Sequence, residues 1–357
     1  MIKALWITLF AAGLAACGSS GGSGTSSASS VVSSSPSSES RSSASQSSVS
    51  STPVTDECPQ GRHIVGYFPD WQGEVADVQF SYLTHINYSF LLPNADGGLQ
   101  PLGVAGENRL MALVSMARPA GVKVGIALGG WNDGDDSAFV ALAQEAQTRT
   151  RFVQAVTDFV VEYELDGVDM DWEYPSSDEE AANYLLLMQQ MRESLDALPG
   201  EHFLTAAVVG AGDWAGRYIL PEVFEIVDFL NLMAYDNTSE PHHSSFNYAI
   251  AALDYWSARG LTREKTVLGV PFYGRPSYTA YRQYVANSLD NACVSEVGND
   301  FYNGIISVRE KAQLVQSRTC GIMMWELTQD TTDDTSLLRA MWEVVEGEPA
   351  SYFCPES

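Results

Sequence analysis

The chain has 357 residues, 45% of them hydrophobic, and its 45 acidic and 19 basic residues give a formal net charge of -26. A surface this acidic repels phosphate, which argues against nucleic acid and anionic lipid as partners and favours a neutral ligand. About 300 residues follow an N-terminal appendage, which is enough for one enzyme-sized α/β barrel.

The first residues have the pattern of an export signal. Lys3 precedes an apolar run over residues 4–16 that is too short to span a bilayer as a helix. The run ends in LAAC and Gly18 follows, which resembles the lipobox of bacterial lipoproteins. The resemblance implies a signal peptide over residues 1–17 with a lipidated Cys17; the alternative is an ordinary cleaved signal that contains a cysteine. We therefore expect export to the bacterial cell envelope, with the protein either secreted or held at the outer-membrane surface by that lipid, its only membrane contact.

Residues 18–56 are predicted to form a disordered linker. Twenty serines lie between Ser19 and Ser51, and large apolar side chains are almost absent. Such a segment cannot bury enough surface to fold. As a flexible coil it would span roughly 35 Å, which would hold a catalytic domain at residues 57–357 clear of a membrane surface.

The predicted domain contains four further cysteines, at Cys58, Cys293, Cys320 and Cys354. An exported chain meets an oxidising environment, so disulfides are expected, and four cysteines allow three pairings. We favour Cys58 with Cys354, because these two bracket the domain and barrel termini usually lie close together, and Cys293 with Cys320. The spacing is not that of a metal site, and we expect neither a metal nor a cofactor.

Short β-rich apolar runs alternate with amphipathic stretches along the domain. The predicted strands cover residues 63–68, 84–90, 122–128, 165–172, 203–209, 227–235, 266–272 and 321–327. Predicted helices between them include residues 108–118, 149–163, 178–198 and 246–259. Eight strands that alternate with helices indicate a (β/α)8 TIM barrel, whose active site lies at the carboxyl ends of the strands.

The most informative stretch is DGVDMDWEYP at residues 166–175, in the fourth predicted strand. Asp169, Asp171 and Glu173 alternate along it, so a strand would point all three to one face. Carboxylates held together repel one another, so at least one should bind a proton at neutral pH and become a general acid. A solvated edge or a calcium site would also collect acids, but the flanking residues are apolar and calcium-loop turn spacing is missing. Asp166 has the opposite parity and is interpreted as structural.

Further side chains suited to binding lie at the ends of the predicted strands. They are Tyr67, Phe90, Trp131, Tyr235, Asp236, Tyr273 and Trp325. Aromatic rings are the usual platforms for sugars, whose C–H faces stack on a flat apolar surface. Any single aromatic is more often a core residue, but the shared position of this set at one end of the barrel favours a carbohydrate site.

Four ordered motifs resemble those of glycoside hydrolase family 18, the chitinase family. DGVDMDWEYP matches the DxxDxDxE signature, LGGW at 128–131 resembles SxGG, MAYD at 233–236 resembles MxYD, and Trp325 matches the tryptophan of the eighth strand. The resemblance covers nearly the whole predicted domain. It implies cleavage between N-acetylglucosamine units, with chitin and chitooligosaccharides as the binding partners, and we expect a monomer.

The resemblance also assigns catalytic roles. In that family the substrate's own 2-acetamido oxygen attacks the anomeric carbon, which gives an oxazolinium intermediate and net retention. Glu173 would be the general acid and then the base. Asp171 would orient the acetamido group and stabilise its developing positive charge, while Asp169 shares a proton with Asp171. Tyr235 would hydrogen-bond the acetamido oxygen.

The remaining candidates are assigned to sugar binding by the same resemblance. Asp236 would contact the distorted sugar, Trp325 would be the floor beneath it, and Trp131 would be a platform for the next ring on the leaving side. Met233 is either simple packing or part of the wall of the site. No individual sugar contact is assigned to Tyr67, Phe90 or Tyr273.

Two departures from the family pattern change these expectations. Ala127 stands where the SxGG motif has a serine that supports the first inward acid, so Asp169 is expected to rely on Tyr67. The segment between the seventh and eighth predicted strands is too short for the large α+β insertion that deepens the cleft in some members. We therefore expect an open groove and endo-type cleavage.

Two other functions stay open from the sequence. An endo-β-N-acetylglucosaminidase of the same family cuts the chitobiose core of N-glycans with the same chemistry, and the loops around the pocket decide between the two substrates. A lectin-like relative binds sugar without hydrolysis, but such proteins typically lack the motif glutamate, whereas Glu173 is present.

Overall fold

The computed structural model describes residues 58, 59 and 61–355, and it contains a closed parallel barrel. The barrel strands are β1 (His63–Pro69), β2 (His85–Leu91), β3 (Lys123–Gly130), β4 (Gly167–Trp172), β5 (Phe203–Val209), β6 (Phe229–Met233), β7 (Thr266–Pro271) and β10 (Gly321–Trp325). Their order around the barrel is β1-β10-β7-β6-β5-β4-β3-β2. All eight predicted strands are confirmed, and so is the (β/α)8 fold class.

Helices cover the outside of the barrel. In the described part of the chain they are α1 (Gly103–Ala117), α2 (Ser137–Gln144), α3 (Ala146–Glu162), α4 (Asp178–Asp196), α5 (Pro221–Ile226), α6 (Phe246–Ala258), α7 (Tyr281–Asn287), α8 (Ile305–Gln313) and α9 (Leu337–Glu346). The outward side chains of the strands and the apolar faces of these helices form one large buried cluster. This cluster fixes the strands that carry the site.

Alternate strand residues point into the barrel, and the lower part of the interior is filled. The rings of His63, His85, Phe203 and Phe229 pack together there, with 4.5 Å between the ring centroids of His63 and Phe229. A Cβ at Gly167 would lie 2.4 Å from the Phe203 ring, so the ring occupies space that only glycine leaves free. With this end closed, the open end at the carboxyl ends of the strands is left for binding.

The segment between β7 and β10, residues 272–320, is short and contains little added structure. It contains α7, an antiparallel pair of two-residue strands, β8 (Glu296–Val297) and β9 (Asp300–Phe301), and then α8. The absence of a large α+β insertion is therefore confirmed for this segment. The β8–β9 pair and α7 were not predicted.

The predicted disulfide pairing is wrong. The disulfides are Cys58–Cys320 and Cys293–Cys354, with Cα–Cα distances of 5.7 and 5.5 Å. Cys58 and Cys320 come just before β1 and β10, which are neighbours in the barrel with His63 opposite Gly321. Cys354 follows α9, and Arg309 of α8 donates to the carbonyl of Tyr352, which holds that segment near α8.

Several predictions fall on residues outside those described. They concern the signal peptide at residues 1–17, the lipidated Cys17 and the linker at residues 18–56. Across the described ranges, no helix combines the length and the apolar character needed to cross a membrane.

Candidate active site

A cleft of about 1370 Å³ opens at the carboxyl ends of the barrel strands. Its lining includes nearly every residue predicted for the site: Tyr67, Phe90, Trp131, Asp171, Glu173, Met233, Tyr235, Asp236, Tyr273 and Trp325. The exception is Asp169, which lies fully buried beneath the cleft. The barrel thus brings together residues that are up to 258 positions apart in the sequence, from Tyr67 to Trp325.

Asp169 is the deepest carboxyl group of the site. It accepts hydrogen bonds from the Tyr67 hydroxyl at 2.6 Å, the Thr205 hydroxyl at 2.6 Å and the Asn231 amide at 3.1 Å. Burial raises its pKa above the ordinary value, and these hydrogen bonds oppose the shift. Its neighbours across the sheet are Ala127 on one side and Thr205 on the other. The support that a serine at position 127 would give therefore comes from Tyr67, as expected, and also from Thr205 and Asn231.

Asp171 lies one inward position above Asp169 and faces the cleft. Burial, reinforced by the charges of Glu173 and Asp169, raises its pKa well above the ordinary value. Its Oδ1 atom is buried and has no hydrogen-bond partner among the described residues. A buried polar atom in a cleft wall normally has a partner, so this oxygen is available to a bound ligand.

Glu173 follows the last residue of β4 and is partly exposed in the cleft. Burial raises its pKa to about 7, while a hydrogen bond with Tyr174 opposes the shift and the charge of Asp236 adds to it. A carboxyl group with a pKa near neutral can both give and take a proton at the same pH. Glu173 is therefore suited to acid catalysis in one step and base catalysis in the next.

Tyr235 and Asp236 follow β6, which lies three strands from β1 in the barrel order, and both line the cleft. Burial, with the charges of Asp171 and Glu173 nearby, raises the pKa of the Tyr235 phenol well above its ordinary value, so the hydroxyl stays a neutral donor. A Cβ at Gly269 of β7 would lie 3.1 Å from the Tyr235 ring and 2.4 Å from the carbonyl oxygen of Leu232. Only glycine at position 269 leaves room for this approach.

Asp236 differs from the other carboxyl groups because it is held in the ionised form. Burial would raise its pKa, but hydrogen bonds from His243 and Tyr273 and the charge of Arg275 outweigh that effect and the pKa is lowered. His243 Nδ1 lies 3.2 Å and Arg275 Nε lies 3.5 Å from its Oδ1 atom. His243 and Arg275 were missed from the sequence, since both lie in loops that only the fold brings to Asp236.

Aromatic rings form one floor of the cleft. The Trp325 ring lies 5.4 Å from Phe90 and 5.7 Å from Tyr67 between centroids, and Trp71 lies 6.2 Å from Phe90. Four lining aromatics project into solvent: Trp71, Trp131, Trp214 and Tyr278 are 57%, 59%, 65% and 61% exposed. Trp71, Trp214 and Tyr278 were not predicted, although each follows a barrel strand within a few residues. Exposed rings of this size on a cleft wall are suited to stacking on sugars.

Residues 63–330 match the family model described as Glycosyl hydrolases family 18. The chain belongs to this family. It is 29% identical to Chitinase 1 of Aphanocladium album over 63% of this chain and 64% of that protein. It is also 29% identical to Chitinase A1 of Niallia circulans, over 62% of this chain and 44% of that protein. The chain therefore matches less than two thirds of the length of these curated relatives.

A solved structure of the same family gives the same architecture. The crystal structure of the GH18 chitinase ChiB from the chitin utilization locus of Flavobacterium johnsoniae matches with a TM-score of 0.70 and 27% identity, covering 80% of this chain and 94% of that chain.

Two residues of this family 18 chain resolve questions left by the sequence. Met233 is 8% exposed and packs with Tyr67 and Phe229 inside the barrel, while its edge reaches the cleft, so it serves both as packing and as wall. Asp166 lies outside the cleft, where its Oδ2 atom accepts a hydrogen bond from the backbone N–H of Val124 at 2.8 Å.

In residues 58, 59 and 61–355, no group of three His, Cys, Asp or Glu side chains is arranged to hold a metal ion.

Proposed function

We propose that the chain is an endo-acting chitinase, which hydrolyses β-1,4 bonds between N-acetylglucosamine units with retention of the anomeric configuration. The single observation that carries this proposal is the carboxyl arrangement. Glu173, with a pKa near 7, stands beside Asp171, whose pKa is raised well above its ordinary value and whose Oδ1 atom lacks a partner among the described residues. A proton donor is therefore present, while the carboxyl group next to it is poorly suited to act as an anionic nucleophile.

In the first step Glu173 gives its proton to the glycosidic oxygen, and the bond from that oxygen to the anomeric carbon breaks. The 2-acetamido oxygen of the same sugar forms a bond to the anomeric carbon, which yields a cyclic oxazolinium ion. The neutral phenol of Tyr235 donates to the acetamido oxygen, and Asp171 accepts from the acetamido N–H. As positive charge develops on the ring, Asp171 passes its proton toward Asp169 and stabilises that charge.

In the second step the Glu173 carboxylate takes a proton from water, and the hydroxide formed attacks the anomeric carbon. The bond to the acetamido oxygen breaks, the acetamide is restored, the proton returns from Asp169 to Asp171, and Glu173 is again protonated for the next cycle. Two displacements at the same carbon give net retention. Asp236, held ionised by His243 and Arg275, is placed to hold the hydroxyl groups of the distorted sugar.

The shape of the cleft favours cleavage within a chain. The segment between β7 and β10 adds only α7, the β8–β9 pair and α8, so it does not wall the cleft into a tunnel. Exposed aromatic rings lie in loops after β1, β3, β5 and β7, which gives several sugar platforms along an open groove. A groove of this kind accepts a polymer laterally, and endo-type cleavage follows from that mode of entry.

The substrate and the mode of cleavage are tested by the early products. The unmutated domain, incubated with chitohexaose and separately with a high-mannose glycoprotein, is expected to release a mixture of dimers, trimers and tetramers from chitohexaose and no glycan from the glycoprotein. Release of dimers alone from one end at the earliest times would contradict endo-type cleavage. Glycan release without chitohexaose cleavage would favour the endoglycosidase, and binding without cleavage would favour the lectin.

The location proposed for the enzyme rests on the sequence alone. We propose that residues 1–17 direct export, that Cys17 carries a lipid, and that the serine-rich residues 18–56 separate the domain from the membrane. The enzyme would then act as a monomer on chitin outside the cell.

A further inference from the structure

Lys311 of α8 is a fully buried lysine whose role the catalytic mechanism does not explain. Its Nζ atom donates to the carbonyl oxygen of Ser244 at 2.5 Å, to the hydroxyl of Ser244 at 2.9 Å and to Oδ1 of Asn303 at 2.7 Å. These are three acceptors for the three N–H groups of an ammonium ion. Within the described part of the chain, no carboxylate forms an ion pair with it.

A buried amino group without a carboxylate partner is costly to the fold. Burial lowers the pKa of Lys311 to about 7, against the opposing charges of Glu240 and Glu310. An apolar side chain of similar length would fill the same space without desolvating a charge, and such replacements are often neutral or stabilising. A lysine here is therefore better explained by what its three hydrogen bonds hold than by packing.

Those hydrogen bonds lead directly to the cleft. The Ser244 hydroxyl that accepts from Lys311 donates in turn to the carbonyl oxygen of Ala234 at 2.8 Å. Ala234 precedes Tyr235, so the chain of contacts ends at the backbone of the residue proposed to hold the acetamido oxygen. The carbonyl group of His243, next to Ser244, accepts from the backbone N–H of Asn237 at 3.0 Å, and the His243 ring contacts Asp236.

The loop between β6 and α6, residues 234–245, is therefore held together by hydrogen bonds between its own residues. One buried residue of the loop attaches it to Lys311 of α8. That residue is Ser244, which is 0% exposed and bonded through both its carbonyl and its hydroxyl group to the same amino group. The loop carries Tyr235 and Asp236 into the cleft. A small displacement of reacting groups can lower a rate by orders of magnitude, so the anchor bears on catalysis.

We propose that Lys311 is a positioning residue of the active site, which fixes the β6–α6 loop through Ser244 and so sets Tyr235 and Asp236 against the sugar. This inference rests on the proposed function. Lys311 does not touch the substrate; it acts through Ser244, Ala234 and His243.

The test compares Lys311→Met with the matched control Lys265→Met. Lys265 also binds backbone carbonyl groups, those of Phe224 at 2.7 Å and Val227 at 2.8 Å, but it lies just before β7 at the opposite end of the barrel. On chitohexaose, Lys311→Met is expected to lower kcat by about tenfold or more with KM changed less than about threefold, because the acetamido group is held less well in the transition state. Lys265→Met is expected to keep kcat within about twofold at temperatures below its Tm.

A ligand measurement separates positioning from a general loss of structure. Lys311→Met should weaken binding of a thiazoline analogue of the oxazolinium intermediate by about tenfold while binding of chitotriose changes little. If Lys311→Met does not fold, Ser244→Ala removes the hydroxyl that links Lys311 to Ala234 and keeps the contact of Lys311 with the Ser244 carbonyl oxygen, and it should lower kcat in the same way by about threefold or more. Wild-type kcat and analogue affinity in the folded Lys311→Met or Ser244→Ala variant would overturn the inference. An unmutated protein that cleaves no chitooligosaccharide would instead overturn the proposed function, and the inference with it.

Discussion

Replacing Glu173 with glutamine is expected to lower kcat on chitohexaose by at least about a hundredfold and to leave oligosaccharide binding nearly unchanged. Glutamine has almost the same shape and keeps a hydrogen-bonding oxygen, but it has no proton to transfer. Turnover is measured from initial rates, and binding is measured by calorimetry with the inactive variant. A variant that turns over at the wild-type rate would remove Glu173 from the mechanism.

The pH dependence of activity provides a second test of the role of Glu173. Because Glu173 must be protonated to act as the acid and its pKa is raised to about 7, wild-type activity should be present below that pH and decline as the pH rises through it. The residual activity of Glu173→Gln should lack this alkaline limb. Glu179→Gln is a matched control, since Glu179 is an exposed glutamate in the first turn of α4, and it should keep both the rate and the limb.

Replacing Asp171 with asparagine is expected to have the next largest effect, a fall in kcat of about a hundredfold or more with KM changed only a few-fold. Asparagine can still orient an acetamido group, but it cannot become negative as the oxazolinium ion forms. The expected loss is therefore confined to the transition state and the intermediate. Initial rates over a range of chitohexaose concentrations separate kcat from KM.

Asp166→Asn provides the control within the same motif. Asp166 accepts from the backbone N–H of Val124 outside the cleft, and the side-chain oxygen of asparagine can accept the same bond. This variant should keep kcat within about twofold. A similar loss of kcat in both variants would mean that the motif acids support the fold of β4, and it would contradict a specific role for Asp171.

The sequence predicted the barrel and the inward acids because both depend on local patterns. Alternation over residues 169–173 sends Asp169 and Asp171 to one face of any strand, and β4 has that parity in the structure. The register between neighbouring strands, in contrast, depends on how two distant segments pair. Thr205 became a partner of Asp169 only because β5 pairs with β4 in a register that sets these two residues side by side, and no local pattern specifies that register.

Contacts between loops could not be predicted either, because no local sequence pattern specifies which distant segments meet. His243, Arg275 and Lys311 lie in loops or on helices whose positions follow from packing of the whole barrel. The disulfides illustrate the limit, because closure of the barrel sets Cys58 beside Cys320 through the pairing of β1 with β10. The positions of Cys58 and Cys354 near the two ends of the domain carry no information about that neighbouring strand, and they therefore favoured the wrong pair.

The proposed chemistry requires two displacements at the anomeric carbon, first by an oxygen already held in the active site and then by water, rather than a single displacement by water. Proton NMR of chitohexaose hydrolysis, recorded before mutarotation equilibrates the new reducing ends, tests it through the configuration of the product. The β-anomer is expected to appear first, as two displacements at one carbon require. Initial formation of the α-anomer would contradict it, because a single displacement by water inverts that carbon.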